Sequence, residues 1–393
     1  TEVGVPFNHS LAEVACINCG QCIAACPVGA LFEKDSTEAV WQALADPNKF
    51  VVFQPAPAVR VALGEEFGLP IGTPVAGKMV AAMRRLGADR VFDVDFAADL
   101  TIMEEGTELL TRLKEGGALP MITSCSPGWV KFCEHQYPEF LPNLSTCKSP
   151  NQMQGAITKT YFAEKNGLDP KDIFVVSVMP CTAKKFEIIR PEMGRDGYRD
   201  VDANLTTREF AKMVKQAGID FVHLPDEPFD DILGDSTGAA VIFGVTGGVT
   251  EAVLRRVVSD KSPTALKSIT LKGMRGMEGV KECTIPLDDR VLRIAVVSGL
   301  GNASALIERI KNGEHFDFVE VMACPGGCVS GAGQPYVPDA EKVKRGKGLY
   351  SADKLCSVKR SEENPLMMSL YSGILKGKVH ELLHTSYVNR EDH

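Results

Sequence analysis

The stretch FVEVMACPGGCVSGAGQP at 318–335 constrains this chain more than any other. It opens as an apolar run that ends at Met322. It then breaks into a Gly/Pro-rich loop carrying Cys324 and Cys328. Short apolar runs bounded by turn residues read as buried strands. Glycine lets backbone N–H groups approach sulfur closely, so both thiolates can face one inorganic centre. The same design recurs in TSCSPGW at 123–129, with Cys125, and in MPCTAKKFE at 179–187, with Cys181. Open α/β sheets present their functional residues at such strand ends.

Strand-like and helical patterns alternate through most of the chain. Val51–Gln54, Arg90–Val94, Leu119–Thr123, Asp172–Met179, Ala203–Leu205, Ala239–Phe243, Arg293–Ser298 and Phe318–Met322 read as strands. Helical spacing covers Lys78–Leu86, Ala97–Lys114, Pro150–Asn166, Thr206–Gln216, 249–258 and Ala303–Asn312. Gly87 is placed to end the first of these. Residues 224–236 read as an acidic surface loop, 260–290 as a polar, irregular stretch or a β excursion, and the C-terminal part as mostly helical. The alternation predicts an α/β fold with parallel sheets in layers.

The N-terminal part has a different signature: Cys16-x2-Cys19-x2-Cys22-x3-Cys26-Pro27. This is the bacterial ferredoxin spacing for a [4Fe–4S] cluster, whereas a zinc site more often shows two separated cysteine pairs. In two-cluster ferredoxins the fourth cysteine of such a run ligates the other cluster. Cys26 therefore either closes its cluster locally or belongs to a domain whose upstream half is missing, which the Thr1 start favours. The expected division is a partial ferredoxin-like segment at 1–35 and a catalytic domain at 36–393. Twelve clustered cysteines in a 393-residue chain favour metal binding in a reducing, cytoplasmic compartment over a disulfide scaffold. A net charge of −8 gives no basic footprint for nucleic acid, and no apolar run is long enough to span a membrane.

Two motifs point elsewhere. SGLGNAS at 298–304 sits between a strand and a helix like a dinucleotide fingerprint, but its third glycine position is Ser304. It reads as an ordinary strand-to-helix turn. HELLH at 380–384 matches the zinc-protease pattern, yet only His393 could follow as a third ligand. Leu382 and Leu383 fit a packed helix better. Cys133, Cys283 and Cys356 read as buried filler.

Taken together, TSCSPGW, MPCTAKKFE and FVEVMACPGGCVSGAGQP resemble the [FeFe]-hydrogenases, over nearly the whole chain from Cys16 to His384. The resemblance implies two lobes of four-stranded parallel sheet flanked by helices, with a cofactor buried between them. That cofactor, the H-cluster, is a [4Fe–4S] cubane joined by a cysteine thiolate to a two-iron unit with CO, CN⁻ and azadithiolate ligands. The resemblance makes Cys181, Cys324 and Cys328 cubane ligands, with Cys328 as the bridge. Lys184 would donate to a cyanide, paired with Glu187. Ala56, Pro57 and Met179 would line the two-iron pocket, with Met322 beside the bridge.

The first loop departs from the family pattern, which commonly reads TSCC. Here the second position is Ser126, a hard oxygen donor and a poor substitute for thiolate on iron–sulfur. Ser126, Cys125 or another cysteine would complete the cubane, and Cys147, just before a helix, is the expected replacement. Glu105 and Glu108 share a helical face at i and i+3. The resemblance makes them part of a proton path running Cys125, water, Glu105, Ser145, Glu108 and bulk solvent, with Glu104 pointing elsewhere.

The expected reaction is reversible: 2H⁺ + 2e⁻ ⇌ H₂. Electrons would pass through the Cys16–Cys26 cluster to a ferredoxin or a NADH- or formate-linked subunit, and separate maturation proteins would build the two-iron unit. The alternative is an H₂ or redox sensor, or a non-catalytic iron–sulfur protein of the same fold.

Overall fold

The computed structural model describes residues 11, 14–233, 236–258, 275–276, 279–287 and 290–390. Most of the stretch 260–290 and His393 thus lie outside the described residues, as does Thr1. Eight strands build two sheets: β1 (Phe50–Pro55), β2 (Arg90–Val91), β3 (Met121–Ile122), β4 (Ile173–Met179), β5 (Ala203–Thr206), β6 (Val280–Leu287), β7 (Arg290–Ser298) and β8 (Phe318–Met322). The first sheet runs β2-β1-β4-β5 and the second β3-β8-β7-β6. The central strands are buried on both faces, which explains their mostly Val, Ile and Phe character, interrupted only by the buried Gln54, Ser177 and Glu320.

The first sheet is parallel throughout. In the second, β6 pairs antiparallel with β7, a departure from the all-parallel expectation. Only Asp288 and Asp289 separate these two strands, far too few residues for a crossover connection. A second correction concerns Ala239–Phe243. Read as a strand, it is helical: Gly238–Val241 is α-helix and Ile242–Gly244 a 3₁₀ turn. Every residue of the segment is buried, so it has no polar face to reveal a helical period.

The long helix Val94–Glu115 begins at Asp93, whose carboxylate accepts the Asp95 N–H at 3.0 Å. It packs against the helices Pro150–Ile157 and Gly248–Val257 and carries Glu104, Glu105 and Glu108. Helices Val343–Leu355, Pro365–Ser372 and Val379–Leu383 form the C-terminal part. Among the described residues no helix is long and apolar enough to cross a membrane.

Arg345 ties this C-terminal part to the body. It is fully buried, donates to Glu65 (Nε–Oε1 2.8 Å), and also donates to the carbonyls of Val329 and Pro335, each at 2.9 Å. Removing one partner of a buried ion pair leaves the other charge desolvated. Arg345→Ala is therefore expected to cost about 3–5 kcal/mol in denaturant unfolding.

Candidate metal centre

Three strand ends converge on one cavity. β4 ends at Met179 and delivers Cys181, β8 ends at Met322 and delivers Cys324 and Cys328, and β3 leads to Cys125 and Ser126. All of these line the cavity, together with Ala56, Pro57 and Lys184. The glycines of the last loop permit its close packing. Gly327 has φ +90°, and a Cβ there would lie 2.6 Å from the Thr246 nitrogen. A Cβ on Gly331 would lie 2.2 Å from the Pro180 carbonyl oxygen.

Burial raises the proton affinity of Cys125, Cys181, Cys324 and Cys328, the last to about 12. The neighbouring sulfurs add to this at Cys324 and Cys328, while the Lys184 ammonium opposes it at Cys125, Cys181 and Cys328. Lys184 is held by Glu187 at 2.8 and 2.9 Å and donates to the Cys125 carbonyl at 3.3 Å. It is a fixed cation in the cavity wall, suited to an anionic ligand.

Cys147 does not reach this cavity. It is buried behind the TSCSPGW loop, where its carbonyl accepts the Ser124 hydroxyl at 2.8 Å and its Sγ lies 3.9 Å from Glu108 Oε2. The expected replacement ligand is thus not among the side chains lining the cavity; its side chain is turned toward the relay. Ser126 itself lines the cavity, and its Oγ accepts the Ala323 N–H at 3.2 Å.

The relay residues lie beside the cavity. Ser145 Oγ donates to Glu108 Oε2 at 2.9 Å, and Arg112 pairs with Glu108 Oε1 at 2.6 Å. Glu105 is fully buried, and burial pushes its carboxyl up to about 8, with the charges of Glu108 and Glu320 adding to the shift. Neither of its oxygens completes a hydrogen bond among the described residues, although the Ser145 hydroxyl and the Ser124 amide favour its charged form. Glu104 turns away to Tyr371 and to His384 Nε2, the latter at 3.1 Å. His384 Nδ1 meets Thr146 Oγ1 at 2.8 Å, and Leu382 and Leu383 are buried, so the HELLH segment is a packed helix end.

The N-terminal cysteines dock against the same region. Cys19 lines the cavity, and Gln21 Nε2 donates to Cys324 Sγ at 3.1 Å. Cys26 Sγ accepts the Ala30 N–H at 3.3 Å, and the loop amides of Val28 and Leu31 lead the causes that lower its proton affinity. Amide donors at sulfur favour the thiolate a cluster needs. Gln21 was not singled out from the sequence. Its contact with Cys324 spans 303 residues, and no local pattern announces it.

The donor set fits an iron–sulfur cluster. Soft sulfur donors face one cavity from several loops. Among the described residues, the cysteines of neither set close to single-ion distances, as a cluster wider than one ion requires. The group that does close within 4.8 Å is Glu108, Cys147 and His384, where both imidazole nitrogens already have partners.

Comparison with known proteins agrees with this donor set. Residues 49–332 match the family model "Iron only hydrogenase large subunit, C-terminal domain". Residues 339–390 match "Iron hydrogenase small subunit", and residues 13–32 match "4Fe-4S binding domain". The chain is 52% identical to the NADP-reducing hydrogenase subunit HndD of Solidesulfovibrio fructosivorans, over 99% of this chain and 68% of that protein. It is 32% identical to the cytosolic iron-sulfur assembly component 3 of Rattus norvegicus, over 95% of this chain and 82% of that protein. A solved structure of a variant of the [FeFe]-hydrogenase HydA1 from Chlamydomonas reinhardtii superposes with a TM-score of 0.81 at 40% identity, covering 91% of this chain and 99% of that one.

Proposed function

The chain belongs to the iron-only hydrogenase large-subunit family, and on that premise we propose that it interconverts protons and H₂: 2H⁺ + 2e⁻ ⇌ H₂. The observation that carries this reading is the shared cavity: Cys181, Cys324 and Cys328 with Lys184 beside them, and Cys125 between the cavity and Glu105. When bound, the H-cluster supplies the two-electron chemistry. Cys181, Cys324 and Cys328 would hold it, with Ser126 Oγ as the fourth donor. Lys184 offers its ammonium to an anionic ligand, while Ala56, Pro57, Met179 and Met322 keep water from the pocket.

The chain's own groups move the proton. Cys125 passes it through water to Glu105, and Ser145 and Glu108 carry it outward. A neutral carboxyl and a hydroxyl each donate and accept in one protonation state, which a relay needs. Cys16, Cys19, Cys22 and Cys26 would hold a second cluster, which would supply electron exchange with a ferredoxin or a nicotinamide- or formate-linked subunit. The relative named as an NADP-reducing hydrogenase subunit favours a nicotinamide-linked partner.

A second reading follows from the relative named as an assembly component: a non-catalytic iron–sulfur protein of the same fold. The buried Glu105 and the Ser145–Glu108 hydrogen bond favour turnover. Chain produced with the maturation proteins is expected to show infrared bands of CO and CN⁻ and to evolve H₂ from reduced viologen. Absence of both bands and gas would decide for the assembly-type reading.

A further inference from the structure

Glu320 lies on β8, buried on both faces of a central strand and four residues before Cys324. A carboxylate there needs hydrogen bonds to compensate its desolvation. It has two: the N–H groups of Gly247 and Thr250 donate to Oε1 at 2.6 Å and Oε2 at 2.8 Å. These amides open the helix Gly248–Val257, whose positive end favours an anion. Burial raises the proton affinity of Glu320, and the two amides oppose that rise.

The turn clamped in this way is the back support of the last cysteine loop. Thr246 N–H donates to the Gly326 carbonyl at 3.3 Å, and Gly327 packs so close to Thr246 that a Cβ would not fit. Phe243 and Gly244, just before the turn, line the cavity. Behind it, Lys281 on β6 donates to the Thr246 carbonyl at 3.2 Å and partly balances the Glu320 charge. The carboxylate is near enough for its field to be felt at both Cys125 and Cys328.

We propose that Glu320 is a positioning residue for the metal centre: it fixes the 244–248 turn against the Gly326–Cys328 loop and sets the reduction potential of the cluster held there. This rests on the reading of Cys181, Cys324 and Cys328 as ligands. A fixed negative charge beside a cluster disfavours the added electron. Glu320→Gln removes the charge but keeps the shape and one acceptor. Lys281→Met removes the opposing charge from the part-exposed edge strand β6, together with its hydrogen bonds to the Thr246 and Gly276 carbonyls.

The experiment is an EPR-monitored redox titration of the full chain reconstituted with iron and sulfide, in which the Cys16–Cys26 cluster serves as internal reference. Glu320→Gln is expected to raise the midpoint of the cavity cluster and Lys281→Met to lower it, with the reference cluster unmoved. Glu320→Asp, which keeps the charge, is expected to return most of the way to the wild-type potential. Unchanged potentials in the Gln and Met variants, or shifts of the same sign in both, would overturn the proposal. If the unmutated chain holds only the reference cluster, the ligand reading fails and this inference falls with it.

Discussion

Cys181→Ala is expected to abolish H₂ turnover and, in chain reconstituted with iron and sulfide alone, to lose about four irons per chain, the content of one cubane. The EPR signal of the Cys16–Cys26 cluster should remain. Cys181 sits on the loop after β4, in the first sheet, whereas Cys324 and Cys328 follow β8 in the second. Its removal leaves the cavity with ligands from one lobe, and the remaining thiols have raised proton affinity through burial. Cys147→Ala provides the contrast. Its sulfur faces Glu108 rather than the cavity, so iron content and cubane signal should match the unmutated chain. Ser126→Ala should weaken cluster retention, and Ser126→Cys, which restores the softer donor, should strengthen it. Loss of the cubane signal in Cys147→Ala with retention in Ser126→Ala would reverse this assignment.

Glu105→Gln is the second large effect. The cofactor bands should be unchanged in the infrared, while H₂ evolution falls roughly 10²–10⁴-fold, the range for a lost proton-transfer group. Glutamine matches the shape but cannot exchange a proton. The same substitution should change the pH dependence of stability. Burial holds the Glu105 carboxyl at about 8 in the folded chain against an ordinary 4.5. The folded state thus binds an extra proton between those two values. The corresponding stability is fully present below about pH 4.5 and is lost as pH rises towards 8. Glu105→Gln should flatten that decline in denaturant unfolding across this window. A variant with full turnover would remove Glu105 from the proton path.

Much of this architecture was legible because strands buried on both faces write themselves as short, mostly apolar runs. β1, β4 and β8 lie where those runs lie, and the cysteine loops follow the ends of β4 and β8. The Lys184–Glu187 pair was legible too, since residues three positions apart on a helix share a face. The 238–244 segment was not. A helix buried on all sides and a buried strand show the same apolar composition over seven residues. That β6 is a strand agrees with the β excursion read within 260–290; its antiparallel pairing with β7 was not anticipated.

By itself, then, the sequence determined the donor types, their loops and their order, because thiolate spacing and strand ends are local properties of a chain. Only the tertiary structure decided which donors meet. Ser126 and Cys147 are 21 positions apart, and nothing local says which one faces the cavity; the packing of Cys147 between Ser124 and Glu108 decides it. Gln21 reaches Cys324 and Glu320 clamps Gly247 across long sequence separations. Such contacts are fixed when two sheets and the long Val94–Glu115 helix pack into one volume, and that packing leaves no mark in the order of residues.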